Sequence, residues 1–210
     1  MQHAAECFSV EGKSLSHLVP EPGLATGMSV LDDFLPWHGL PFGALTILEG
    51  PQSVRLARKL ISRRQTLKQT VWIHSLRQRP FFHDDENIFR LQVAEDHEIL
   101  NHLPEVLQES AFGTVVIQLS HPLSRPRAAL LTELAENFDV ALILVCKQPK
   151  IFPWEQAQLV IEANDDFFSI RKAQNRPVPL WIPEEMLDLK SSVAESPVLS
   201  WWNAIEPLPG

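Results

Sequence analysis

Apolar runs without polar alternation, separated by segments of helical periodicity, dominate the middle of this chain. Ala44–Leu48, Thr70–Ile73, Ile88–Val93, Thr114–Leu119 and Asp139–Cys146 read as strands. A strand apolar on both faces must be covered on both faces, which points to a mainly parallel sheet with helices on each side. The intervening segments supply those helices: Ser53–Gln69, with Val54, Leu56, Leu60 and Leu67 on one side, His97–Ser110, and Pro126–Asn137. Pro104 is expected to kink the second of these or to open a fresh first turn. Gln158–Ala163 and Phe167–Lys172, joined by Asn164-Asp165-Asp166, have the pattern of a hairpin and imply an antiparallel edge. The fold class expected is α/β: a parallel twisted sheet covered by helices, with that antiparallel edge.

Charge and punctuation narrow the function classes. A net charge of −8 over 210 residues excludes a generally basic nucleic-acid-binding surface. The chain carries 17 prolines against 8 glycines. Phosphate-binding loops consume glycine, so this ratio counts against a working phosphate site. Gly23, Gly27, Gly39, Gly43 and Gly50 fall in one short window, and glycine is then absent from Pro51 to Phe112. The 2 cysteines, Cys7 and Cys146, make no disulfide framework, and Cys146 in its apolar run reads as a small packed hydrophobe. No leader pattern follows Met1, and the longest apolar stretch, Val140–Cys146, is too short to span a bilayer. A cytoplasmic protein with no membrane partner is expected.

Three regions are expected along the chain. Residues 1–22 form an N-terminal segment that ends at Pro20-Glu21-Pro22-Gly23. Residues 23–176 form the core, which opens on a short helix around Val30, Leu31, Phe34 and Leu35 with Ser29 as its cap. Residues 177–210 read as an acidic extended tail, rich in proline and bearing Trp181, Trp201 and Trp202. Trp181 with Ile182 is expected to pack on its own core. Trp201-Trp202 divide evenly between self-packing and docking on a partner.

Thr26-Gly27, Leu31-Asp32, Leu35-Pro36, Gly39-Leu40-Pro41, Gly43, Leu45 and Glu49-Gly50-Pro51, in this order and spacing, resemble the entry to the RecA/KaiC-like ATPase core. Phe168–Arg176 is similar to a late strand of that family, which ends in a basic turn. The resemblance spans about residues 23–176 and implies a RecA-like sheet. The departures are as informative. The phosphate loop would occupy Gly50, Pro51, Gln52, Ser53, Val54, Arg55, Leu56 and Ala57. Aligned from Gly50-Pro51, Arg55 stands for the second glycine, Leu56 for the lysine and Ala57 for the magnesium-binding hydroxyl. The family's catalytic Glu is absent from His74–Arg77, and its magnesium-associated Asp from Gln118-Leu119-Ser120. The resemblance with these losses implies a retained fold without the chemistry: no catalytic residue, no cofactor and no metal.

Within that group, Leu35-Pro36-Trp37-His38-Gly39-Leu40-Pro41-Phe42-Gly43-Ala44-Leu45-Thr46 resembles the signature of the ImuA/SulA-like branch, closest to ImuA. That likeness implies an accessory protein of SOS-type, damage-induced mutagenesis (translesion synthesis). Its implied partners are an ImuB-like inactive Y-family polymerase homologue, an error-prone replicative-type polymerase or RecA. SulA-like relatives instead inhibit cell division by binding FtsZ, and this is the rival expectation.

Between Gly50 and Pro80 stand Arg55, Arg58, Lys59, Arg63, Arg64, Lys68, Arg77 and Arg79, with no acidic residue among them. They read either as a patch for weak DNA contact or an acidic partner, or as a solvated helix face. Candidate contacts are therefore Arg55, Arg58, Lys59, Arg63, Arg64, Trp201 and Trp202. His83-Asp84-Asp85-Glu86 and Asp96-His97-Glu98 with His102 carry metal-ligand types. On a helix, however, His97 and His102 would lie about 140° apart, so no metal site is expected. Ser120-His121 are sequence neighbours, an arrangement that seldom gives a nucleophile and its base.

Overall fold

The computed structural model describes residues 23–62, 69–76, 78, 88–108, 111–121, 123–148, 154–165, 167–173 and 180–183. In chain order the elements are α1 (Ser29–Phe34), β1 (Ala44–Glu49), α2 (Ser53–Ser62), β2 (Gln69–Ser75), β3 (Ile88–Val93), α3 (Asp96–Gln108), β4 (Phe112–Gln118), α4 (Arg125–Phe138), β5 (Ala141–Cys146), β6 (Leu159–Ala163), β7 (Phe167–Ala173) and β8 (Leu180–Pro183). One 8-stranded sheet has the order β3-β2-β4-β5-β1-β6-β7-β8. All pairings from β3 to β6 are parallel, and β7 and β8 are antiparallel additions. The expected α/β architecture, a mainly parallel sheet with an antiparallel edge and helices, is what the chain adopts.

The apolar runs form strands because both of their faces are covered. Leu45 and Ile47 of β1 pack with Ile117, Leu142 and Leu144 under α3 and α4. Leu48, Val116, Ile143 and Val145 pack on the other face, under α1 and α2. Val71 and Ile73 of β2 meet the first layer, while Trp72 between them meets the second. Side chains alternate across a strand with a period of two, so a sheet buried on both sides shows no regular alternation of polar and apolar residues.

Local details depart from the sequence expectations. Ser29 does not cap α1; Met28 occupies that position without a side-chain cap. Thr26 and Asp32 hold the entry to α1 instead: the Thr26 N–H and hydroxyl donate to Asp32 Oδ1 at 2.9 and 2.7 Å, and the Met28 N–H donates to Thr26 Oγ1 at 3.1 Å. α2 is described only to Ser62, and Gln69, expected as its last residue, opens β2. α3 runs through Pro104, so that proline starts no fresh helix. Asp139, expected as the first strand residue, is the left-handed C-cap of α4 (φ 49°), and its N–H reaches the Ala135 and Glu136 carbonyls. The sheet also continues beyond residue 176. Leu180–Pro183 pairs with β7 as an eighth strand and buries Ile182, so this stretch of the expected tail is core. The side chain of Trp181 and all of residues 184–210, including Trp201 and Trp202, lie outside the described residues. Among the described residues, no helix is long and apolar enough to cross a membrane.

Candidate functional site

Parallel α/β sheets bind ligands beyond the carboxyl ends of their strands, where neighbouring connections leave in opposite directions. In this sheet β2 leads outward to β3, while the adjacent β4 leads back toward β5. The crevice therefore opens at Ser75, the last residue of β2, and at Ser120 and His121 just after β4. The β1–α2 junction lies on the same edge of the sheet.

That junction does not fit a nucleotide phosphate. Only residues 50–52 separate β1 from α2. Two N–H groups here are spent on the protein itself: Gln52 N–H donates to the Ala163 carbonyl (3.1 Å), and Ser53 N–H, the first of α2, to the Gly50 carbonyl (3.1 Å). The Ser53 hydroxyl, fully buried, donates to the Cys146 carbonyl at 2.9 Å. Gly50 has φ 101°, and a Cβ there would run into the Ala163 carbonyl, so its glycine serves the approach of β6. The expected loop through Ala57 is corrected by the helix. Ser53–Ala57 already belong to α2, where Arg55 takes ordinary helical backbone and is exposed, while Leu56 and Ala57 face the core. The positions of the absent lysine and magnesium hydroxyl thus point into packed apolar surface.

The other motif residues are also explained by scaffold. Thr26 and Asp32 fix the entry to α1, and burial raises the Asp32 carboxyl above its ordinary pKa despite the bonds from Thr26. Gly39 lies where the backbones of Leu24 and Leu40 pair, and a side chain there would strike the Leu24 carbonyl. In place of the absent acidic residue at the end of β4, Gln118 Oε1 accepts from Trp72 Nε1 at 3.3 Å.

The crevice between β2 and β4 is chemically richer. Asp96, the first residue of α3, accepts three hydrogen bonds at Oδ2: from Ser120 N–H (2.7 Å), from His121 N–H (3.2 Å) and from the His121 ring Nδ1 (3.2 Å). Burial alone would push its carboxyl up, but the bonds from Ser120, His121 and Ser75 outweigh burial and hold it below the ordinary carboxylate range. A carboxylate only accepts, so the ring Nδ1 is the donor in this pair. Ser75 Oγ is buried beside this carboxylate and contributes a hydrogen bond that stabilises its charge. These groups line a cavity of about 170 Å³ whose apolar wall is Leu100, Leu119 and Leu123. A second cavity of about 280 Å³ opens on the other side of Ser120, and Gln78 Nε2 donates to the Ser120 hydroxyl at 2.7 Å between the two.

Sequence reasoning considered Asp96 and Ser120-His121 separately and set both aside; the fold brings them together. The signal was the connection pattern: α3 carries the chain from β3 across β2 to β4, which sets Asp96 at its start beside the loop after β4. His97 pairs with Glu95 (3.2 Å) and His102 with Glu105 (3.6 Å), so the two histidines have separate carboxylates. Glu98 turns back to the Ala94 N–H at 2.9 Å. Among the described residues, no three ligand-type side chains gather as a metal site. Cys146 is buried, and burial pushes its thiol up.

Of the basic window, Arg55, Arg58 and Lys59 are described on α2; Arg63, Arg64, Lys68, Arg77 and Arg79 lie outside the described residues, as do His83–Glu86. Arg58 is half-buried, and burial together with the nearby Arg90 on β3 lowers its pKa. No known family model matches the chain, and no curated protein matches it.

Proposed function

We propose that this protein is a non-catalytic RecA-like accessory protein of SOS-type, damage-induced mutagenesis. It acts by contact with polymerase components or RecA rather than by nucleotide turnover. The observation that supports the loss of turnover is the β1–α2 junction: three residues long, with the Gln52 and Ser53 N–H groups bonded internally and Leu56 and Ala57 in the core. The assignment to translesion synthesis rests on the resemblance of Leu35–Thr46 to the ImuA-type signature. The proposed partners are an ImuB-like inactive Y-family polymerase homologue, an error-prone replicative-type polymerase or RecA. Arg55, Arg58, Lys59, Arg63, Arg64, Trp201 and Trp202 are the proposed contacts, and the cytoplasm is the proposed compartment.

The test pairs the full chain with these purified partners in a pull-down and measures damage-induced mutation frequency in cells with and without it. Specific capture of one of them, with mutation frequency falling when the protein is removed, is expected. Mg-ATP hydrolysis above background that depends on residues 50–57 would overturn the reading. So would cell filamentation accompanied by FtsZ capture, which is the outcome of a SulA-like division inhibitor.

A further inference from the structure

We infer that the outer side of α2, together with Arg90 on the neighbouring strand β3, is a contact surface for the phosphate backbone of nucleic acid. This rests on the contact role proposed above for Arg55, Arg58 and Lys59, names what that surface takes, and adds Arg90. On α2, Leu56, Ala57, Leu60 and Ile61 turn inward to the core. Arg55 is exposed, and Arg58 and Lys59 are half-buried. Residues three and four apart are neighbours on a helix surface, so Arg58 and Lys59 both stand beside Arg55. Arg90 joins them from the sheet. Its register partner Trp72 packs in the same cluster as Leu60 and Ile61, and Ile88, two residues earlier on β3, packs against that cluster too. Strand side chains two apart share a face, so Arg90 lies on the α2 side of the sheet, where it is exposed.

Two like charges are held together here. Arg90 is close enough to Arg58 to lower its pKa in addition to the effect of burial. An anion over the pair relieves that repulsion, and a guanidinium matches a phosphate with two parallel hydrogen bonds. The sequence from Gly50 to Pro80 contributes cations and no acidic residue. A protein partner is anchored by aromatic or apolar groups at the centre of its interface. Among the described residues, the large exposed apolar side chains are Phe42, Leu76, Phe89 and Leu130; none is on α2, and Phe89 alternates with Arg90 to the opposite face of β3. A face of cations without an apolar centre fits a backbone whose affinity comes from charge. All four cations already take part in interactions within the chain, so phosphates compete for them. The affinity therefore belongs in the non-specific range, with Kd about 1–100 μM at physiological salt.

The backbone occurs in single strands and in duplexes. The test is fluorescence anisotropy of the full chain with labelled oligo-dT, a duplex and poly-glutamate, each of about 20 units, between about 50 and 200 mM NaCl. Four phosphate contacts give a slope of log affinity on log salt of about −3, an affinity loss of about 50- to 150-fold over that range. Arg90→Gln should weaken binding about three- to tenfold at the low-salt end and reduce the slope by about 1. Arg55→Gln, at an exposed helix position, should do the same and guards against an altered β3 in the first variant. Arg90→Lys should keep the slope, and Arg127→Gln, on α4 across the sheet, should bind like the parent. Binding of oligo-dT alone assigns the surface to single strands and binding of both to either form; each supports the inference. It fails if neither nucleic acid saturates, if poly-glutamate binds as tightly, if both glutamine variants at 55 and 90 bind like the parent, or if Arg127→Gln weakens binding equally. Capture of a polymerase component or RecA by a chain that binds no nucleic acid overturns this inference and leaves the partner reading intact. Salt-dependent binding without any such capture does the reverse.

Discussion

Restoring the missing lysine should unfold this protein rather than revive a phosphate site. Leu56→Lys places an amine where the native side chain is 1% exposed and packs between α2 and the sheet. Losing the buried leucine forfeits about 1.5–3 kcal/mol. The ammonium then enters the core, where it sheds its proton or remains charged in an apolar site. Deprotonating a lysine of ordinary pKa at pH 7 takes about 4.6 kcal/mol. Together the penalties reach roughly 6–8 kcal/mol, within the 5–15 kcal/mol that stabilises a typical domain. Escape of the amine to the surface along its stem would reduce this, but even half of it is measurable. In urea the unfolding midpoint should fall by about 2 M or more. Leu56→Met, similar in volume, should lose less than about 1.5 kcal/mol and reports that the site tolerates shape. Calorimetry with Mg-ATP should show no micromolar binding by either variant. A Leu56→Lys protein with the parental midpoint, or one that gains micromolar ATP affinity, would refute the placement of this residue in the core.

Three further outcomes follow from the same geometry. Gly50→Ala combines a left-handed backbone (φ 101°) with a clash against the Ala163 carbonyl, and should lose at least about 1–2 kcal/mol in denaturant unfolding. Ile182→Ala should cost about 2–5 kcal/mol, because Ile182 is 2% exposed and β8 completes the core beside β7; a loss below 0.5 kcal/mol would mean that the strand is dispensable. Asp96, whose folded pKa lies below its unfolded value of about 3.9, adds stability above that pH and loses it as pH falls through the folded value. The stability difference between the parent and Asp96→Asn should therefore shrink on acidification from pH 6 to pH 3, as read by denaturant melts at each pH. Asp32 works in the opposite sense: its folded pKa is raised, so its stability contribution is fullest at low pH and declines as pH rises through the folded value. It is present in both proteins and cancels from the difference.

The sheet was legible in the chain because burial on both faces leaves a strong local trace. β3 coincides with its expected run, and β1, β4, β5, β6 and β7 differ from theirs by one or two residues at an end. Where expectations missed, the deciding partner was distant in sequence or competing locally. Asp139 follows apolar Phe138 and precedes a strand, but its left-handed backbone closes α4. Leu180–Pro183 reads as tail because proline and tryptophan surround it, and only the exposed edge of β7 makes it a strand.

The absence of phosphate-loop residues was likewise written in the sequence, since no fold can supply a lysine or glycine that is not there. What replaced them was not. That Leu56 faces a core, that Gly50 serves a contact with β6, and that the Gln52 and Ser53 N–H groups are bonded internally all depend on the helix beginning at Ser53. Asp96 and His121 are 25 residues apart and become partners only because α3 carries the chain from β3 across β2 to β4. Composition and periodicity act over a few residues and so determined the strands, the helices and the absence of phosphate-loop residue types. The crevice is made by strand order, which burial and connection handedness settle across the whole chain, and only the tertiary structure could decide it.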